Sequence, residues 1–409
     1  MRAEVLAVEP LDRAPDATVR VPGSKSLTNR SLVCALLAEG TSTIAGALRS
    51  DDTEAMADAI RALGAEVHWE GDRIDVVGTG GVLRPGSPSP IRIEVRHAGT
   101  AARFLLPVLA LGQGTYELDG SEQLRGRPLG PMVDGLRALG AQIDGDRLPL
   151  RVHANGSLTG RAELPGHISS QFVSGLLLSQ PYGDYEVVLT SALVAAPFVA
   201  MTNQTMAAFG ANDGRYRATR YAIEPDATSA SYFFAAAALW PGGRVRVLGL
   251  GDDSSQGDLS FVDVLSRMGA QVDQTADWTE VRGGELSGLG EVSMVDTPDV
   301  AQTLAAVAVF ADSPTTVSGI SFARGHESDR LAAVVTELRR CGLEAEEHPD
   351  GFTVHPGQPA PATVETYGDH RMAMSFALLG LKVPGIKIAD PACVAKTFPG
   401  YFAALDQLR

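Results

Sequence analysis

Long apolar runs alternate with short β-branched ones along the chain, and the alternation recurs. After the polar stretch PGSKSLTNR (Pro22 to Arg30), the Ala/Leu-rich run SLVCALLAEG predicts a helix to about Leu37. A turn at Glu39 and Gly40, the stretch TSTI and a polar loop SDD follow. An amphipathic pattern then predicts a second helix from Thr53 to Leu63, stopped by Gly64 and feeding a strand in AEVHWE. The same order returns at HAGTAARFLLPVLALGQGTYELDG with RPLGPMVDGLRALGAQID, where Leu139-Gly140-Ala141 takes the place of Leu63-Gly64-Ala65. ISSQFVSGLLLSQ, YEVVLT and MTNQTMAAFGAND make a third copy, and three more begin at DATSASYFF, DVAQTLAAV and YGDHRMAMSF. A recurrence at roughly 60 to 75 residues is longer than solenoid repeats show, so each copy is expected to be a βαβαββ unit.

Three copies precede RYRATRYAIEPDATSA and three follow it, which places the cut between two domains near Glu224 and Pro225. The domains expected are 21–225, and 1–20 together with 226–409, because the early strand EVLAVEP is expected to pair within the second half. Two crossings, near 20–21 and 224–226, would then act as a hinge. PGSPSP (Pro85 to Pro90) reads as a surface turn.

The polar stretches carry the candidate chemistry. Lys25, Arg30, Arg103, Arg127, Arg330, Arg371 and Lys396 all stand in Gly-, Ser-, Thr- or His-rich segments beside helix starts or loop ends. Ser24 or Ser26 can cap the first helix, and free amides at such a start favour phosphate or carboxylate. If equivalent ends of the copies face one cleft, these cations converge on a small, multiply anionic substrate. The plainer alternative pairs each cation with a nearby carboxylate such as Glu39 or Asp329. Asp299 and Glu327 stand at polar helix starts, where they are caps or, buried among cations, a base and an acid. Asp51, Asp52 and Asp226 read as caps, and Asp369 to Arg371 as a cap followed by a ligand arginine; His370 reads as structural.

Composition sets the surroundings. With 409 residues and 44% hydrophobic side chains the chain can build substantial cores. A net charge of -15 argues against nucleic acid, so the cationic segments are local exceptions. Cys34, Cys341 and Cys393 are few and scattered, which suits a reducing compartment and indicates neither a disulfide framework nor a zinc cluster. The first residues lack an apolar signal core, and runs such as Tyr232 to Trp240 are too short to span a bilayer. A cytoplasmic protein is expected, with no membrane partner.

PGSKSLTNR, HAGTAARF, RGRPLG, SSQF, EPDATSASYF, RGHESDRL, YGDHRMAM and CVAKTFPGYF, in this order, resemble the 5-enolpyruvylshikimate-3-phosphate synthase family from about Val21 to the C-terminus. The resemblance implies an α/β fold of two domains, each three βαβαββ units with helices inside and sheets outside, and an active site in the cleft between them. It implies transfer of the enolpyruvyl group of phosphoenolpyruvate to the 5-hydroxyl of shikimate 3-phosphate, by addition and elimination, with no cofactor and no metal. By motif position Lys25, Ser26, Arg30, Ser169, Ser170 and Gln171 would hold shikimate 3-phosphate, with Asp299 and His326 beside it. Lys25, Gly99, Arg127, Gln171, Arg330, Arg371 and Lys396 would surround phosphoenolpyruvate. Asp299 would take the hydroxyl proton and Glu327 would protonate the methylene carbon. A monomer is expected.

The chain departs from the family's common pattern in three places. Ala195 to Phe198 (AAPF) stands where many members have SKPY, His326 where many have lysine, and Phe322 where some have asparagine. Each lost or weaker contact should cost about a kcal/mol or more of anion binding, and part of what remains would follow the charge of His326. Two alternatives stay open. One is the sibling that transfers enolpyruvyl to UDP-N-acetylglucosamine, which uses a catalytic cysteine in a mobile loop; Cys34 and Cys341 lie in or at the end of helical runs, and Cys393 beside KTFP is expected to pack. The other is a non-catalytic anion-binding relative.

Overall fold

A computed structural model describes residues 4–409 and divides the chain into two compact units, Gly23–Glu224 and Met1–Pro22 with Pro225–Arg409. In chain order the helices of the first are α1 (Lys25–Leu37), α2 (Asp51–Ala62), α3 (Gly99–Ala110), α4 (Glu122–Arg125), α5 (Gly130–Ala138), α6 (Ser170–Ser179) and α7 (Ala196–Ala208). Those of the second are α8 (Ala227–Ala238), α9 (Phe261–Arg267), α10 (Ala301–Ala308), α11 (Arg330–Arg340), α12 (His370–Lys382) and α13 (Tyr401–Leu405).

Local signals start and stop these helices. The Ser24 side chain accepts from Leu27 N–H, Asp226 from Ser229 N–H, Asp329 from Ala332 N–H and Asp369 from Arg371 N–H. Each satisfies a donor that the first turn leaves without a helical partner. The α2 start differs from expectation. Its cap is Ser50, whose N–H donates to the Thr53 hydroxyl, so Asp51 and Asp52 fall inside the first turn, and Asp52 is buried. At the other end Gly64 and Gly140 take φ of +112° and +93°, which only glycine adopts without strain, and the chain turns from helix into strand there.

The sheets share one grammar. Arg220–Ala222, Thr41–Ala45, Arg73–Val77 and Glu66–Glu70 form a sheet whose first pair is parallel and whose others are antiparallel. Gly86–Glu94, Gln113–Asp119, Leu150–Asn155 and Gln142–Asp144 repeat it. In the second unit so do Asp16–Val19, Arg244–Leu248, Trp278–Arg282 and Gln271–Gln274, and again Gly290–Ser293, Thr315–Ser318, Gly351–Val354 and Ala345–His348. The third and sixth copies are abbreviated. Thr159–Leu164 pairs only with Asp184–Leu189, while Thr363–Val364 and Lys387–Ala389 are completed by Val5–Ala7. Pro85 to Pro90 is not a free turn: Gly86–Glu94 runs through it as an edge strand with an irregular register between Gly86 and Ile91, where prolines cost no ladder bond.

Helices α1, α3 and α6 pack on one another, as do α8, α10 and α12. Every residue of α3, α8 and α10 is buried, which explains why they are apolar all round while α11, with one polar face, is not. Each unit therefore has its own core, one running from Leu27 to Ile223 and the other joining Val8 to Leu408.

Candidate active site

In the second unit, side chains distant in sequence form one hydrogen-bonded cluster centred on Arg330, at the start of α11 and only 3% exposed. Its Nη1 donates to Asp299 Oδ1 at 2.8 Å, its Nη2 to Glu327 Oε2 at 3.0 Å and its Nε to Asp369 Oδ2 at 2.9 Å. Arg371 Nη2 takes the other Asp299 oxygen at 2.6 Å, and Lys396 Nζ the other Glu327 oxygen at 2.7 Å. Three carboxylates thus face three cations. Burial opposes the charge on Arg330, but Asp369, Glu327 and Asp299 together hold it above the ordinary arginine value, and Asp299 does the same for buried Arg371.

Asp299 and Glu327 are not caps here. Asp299 lies in the turn Pro298–Val300 ahead of α10 with both oxygens on arginines, and the cap of α11 is Asp329. Asp329 also binds Arg324, so Arg330 turns instead to Glu327 three positions before it and to Asp299 and Asp369 far along the chain. Asp369 does more than cap α12, since it accepts from Ser328 Oγ and Arg330 Nε as well. His326 Nδ1 lies 3.1 Å from Arg330 Nη1, an arrangement in which the ring nitrogen accepts and the imidazole is neutral. Its ring meets Phe322 edge-on at 6.0 Å. His370 is buried at the α12 start, in keeping with a structural part.

The first unit holds the other predicted residues, on α1, at the starts of α3 and α6 and, for Arg127, between α4 and α5. Lys25 Nζ is 3.5 Å from Asp52 Oδ2, and Ser26 is half-buried on the next position of α1. Arg30 is nearly enclosed, 2% exposed: Nε donates to Thr202 Oγ1 at 2.8 Å, Nη1 to Ser26 O and Nη2 to Phe198 O, both at 2.9 Å. One N–H remains on each terminal nitrogen. Burial brings this guanidinium down to about 10, and it stacks on Phe104 at 5.1 Å. The AAPF departure has a main-chain use at this point, because the Phe198 carbonyl serves Arg30 while Ala195 starts α7 at φ +50°.

Gly99 opens α3 with Arg103 and Arg127 against it. A Cβ at Gly99 would lie 2.5 Å from Arg127 Nη1 and 2.7 Å from Arg103 Nη1. Arg103 Nη1 donates to Gly99 O and its guanidinium stacks on Phe172, which ties this corner to the start of α6. There Ser169 accepts from Gln171 N–H as the cap, Ser170 is buried, and the buried Gln171 Oε1 has no hydrogen-bond partner. Gly99→Ala should therefore move Arg127 and raise the KM for the anion held there by about tenfold, the loss expected of one weakened charged hydrogen bond. Steady-state kinetics against melting temperature would check this; an unchanged KM would mean that Arg127 binds nothing.

The arrangement offers cations and carboxylates for anion binding and proton transfer. The oxygens of its three carboxylates each accept an N–H donor. Among the described residues, the one group of acid and histidine side chains close enough for a metal is Glu344, Glu346 and His355, exposed and outside the cluster. Sequence reading missed Asp52 as the partner of Lys25, Thr202 as that of Arg30, and the junction role of Asp369. The acidic residues lay in capping patterns, whose local meaning hides a long-range partner.

The family model described as EPSP synthase (3-phosphoshikimate 1-carboxyvinyltransferase) matches residues 13–405. A curated 3-phosphoshikimate 1-carboxyvinyltransferase of Nostoc punctiforme is 42% identical over 427 residues, covering 99% of each chain. One from a further Nostoc species is 43% identical, covering 98% of each. A solved EPSP synthase from Acinetobacter baumannii superposes with a TM-score of 0.81 at 25% identity, over 99% of this chain and 98% of that one. With nearly its whole length matched by the family and by relatives above 40% identity, this chain belongs to the EPSP synthase family.

Proposed function

We propose that the chain transfers the enolpyruvyl group of phosphoenolpyruvate to the 5-hydroxyl of shikimate 3-phosphate and releases phosphate, in the route toward aromatic amino acids. The observation that carries the chemistry is the balanced cluster of Asp299, Glu327 and Asp369 with Arg330, Arg371 and Lys396. Phosphate and carboxylate groups of the substrates compete for the same guanidinium donors, and each carboxylate released from an arginine becomes available as a base.

In this reading Lys25, Ser26, Arg30, Ser169, Ser170 and Gln171 bind shikimate 3-phosphate, and His326 contributes a neutral contact. Lys25, Gly99, Arg127, Gln171, Arg330, Arg371 and Lys396 bind phosphoenolpyruvate. Asp299 removes the proton as the hydroxyl oxygen attacks C2. Glu327, once it has taken a proton from the Lys396 ammonium 2.7 Å away, delivers it to C3; in the elimination the Glu327 carboxylate takes a proton back from C3 while Asp299 returns its proton to the departing phosphate, which leaves the enol ether. Positioning and charge stabilisation supply the acceleration. The two crossings near residues 22–23 and 224–225 are the proposed hinge.

A cysteine-dependent transfer has less support. Burial pushes the Cys34 and Cys393 thiols up to about 12 and Cys341 to about 11, so none is poised as a thiolate. No helix among the described residues is long and apolar enough to cross a membrane, and the enzyme is proposed to act in the cytoplasm as a monomer. The test is phosphate release with both substrates against either alone. Release only with both is expected; release with phosphoenolpyruvate alone, or none in the folded protein, would refute the assignment.

A further inference from the structure

A carboxyl group outside the described cluster lies next to it. Asp258, in the turn Gly257–Ser260 that packs on α8, is 4% exposed. Its Oδ2 accepts a hydrogen bond from the Thr228 hydroxyl, and its Oδ1 has no hydrogen-bond partner. It interacts electrostatically with Asp299 and Arg371. The buried Tyr232 hydroxyl on α8 interacts with Arg371 as well, so this guanidinium is shared among several neighbours.

An ionised carboxylate in such a place is poorly compensated, because one hydroxyl donor does not replace its hydration. It would also add a fourth negative charge to a neighbourhood where three carboxylates already match three cations. We infer that Asp258 is a positioning residue of the active site: neutral, it leaves Arg371 to Asp299, and ionised, it draws Arg371 toward itself and weakens the hold on phosphoenolpyruvate.

The surroundings of Asp258 agree in sign. Asp226 and Thr228 face it from α8, Arg371 from α12 and Asp299 from the turn before α10, while Asp263 and Arg267 of α9 are exposed to solvent. Burial, reinforced by the Asp299 charge, pushes Asp258 up to about 7, against the Thr228 hydrogen bond and Arg371. With the value raised, the group is neutral below that pH and charged above it. The switch therefore lies near neutrality.

This inference rests on the proposed reaction, and its test separates the two. In wild type, kcat/KM for phosphoenolpyruvate should fall by about tenfold between pH 6 and 8.5, the size of a coupling of one pK unit. Asp258→Asn, which cannot ionise, should lose that fall while keeping near-wild-type activity at the acid end. The substrate's own titration is common to both enzymes and cancels in the ratio. Thr228→Val removes the donor that favours the charged form, so it should carry the inflection to higher pH, and it serves as a second variant if Asp258→Asn does not fold. Carbon-13 NMR of aspartate-labelled free enzyme supplies a readout that needs no turnover: one buried carboxyl should titrate near neutrality and be missing in Asp258→Asn. Superposable pH profiles, or no such resonance, would overturn the role of Asp258, whereas absent phosphate release in wild type would overturn the reaction and leave the resonance unaffected.

Discussion

Asp299→Asn is expected to lower turnover by about a hundred- to ten-thousand-fold, the range that a positioned general base contributes. Asparagine keeps the shape and can still accept from Arg330 Nη1, but it cannot take a proton from the attacking hydroxyl. Its amide nitrogen would also face Arg371 Nη2, which now donates to Oδ2 at 2.6 Å, so Arg371 loses its acceptor. Asp299→Ala removes both the base and the double anchor. The two variants should share the loss in kcat, while binding of shikimate 3-phosphate alone, read by calorimetry, changes far less. Near-normal turnover in either folded variant would show that another group takes the proton.

The second large effect is on stability. Arg330→Met strips three carboxylates of their shared cation, and breaking a buried pair from one side costs about 3–5 kcal/mol because the remaining charge is left uncompensated. Methionine keeps much of the volume, so the loss is chiefly electrostatic. Chemical denaturation followed by probes in each half should show the transition of the unit that contains Arg330 move and the other stay. The stranded carboxylates hold protons more tightly in the folded variant than in the unfolded chain. Its deficit relative to wild type is therefore largest at neutral pH and shrinks toward acid as they become protonated. A deficit that does not change between pH 7.5 and 5 would mean that the arginine acts through packing alone.

Much of this was legible along the chain because its causes are local. Caps at Ser24, Asp226 and Asp369 and the glycine stops at Gly64 and Gly140 concern a single helical turn, and the copies repeat them. The cations were legible for the same reason, standing beside helix starts in polar segments. What faces each cation was not. Arg330 meets Asp369 across 39 positions and Arg30 meets Thr202 across 172, distances over which neither spacing nor periodicity carries a signal. Asp258 in QGDLS looked like any loop acid, since its properties come entirely from the walls around it. The edge strands were hidden likewise. That Arg220–Ala222 returns to the first sheet, leaving the third copy short, follows from which edge lies open in three dimensions.

The placing of the earliest strands has a consequence for biosynthesis. Asp16–Val19 pairs with Arg244–Leu248, and Val5–Ala7 with Lys387–Ala389. On a ribosome, residues 23–224 form a compact unit with its own core and can fold once they have emerged. Of the strands made before them, Asp16–Val19 must wait for Arg244–Leu248, and Val5–Ala7 far longer, for Lys387–Ala389. Val5–Ala7 thus waits longest for its partner, and its charged neighbours Glu4 and Glu9 help keep the waiting edge from aggregating.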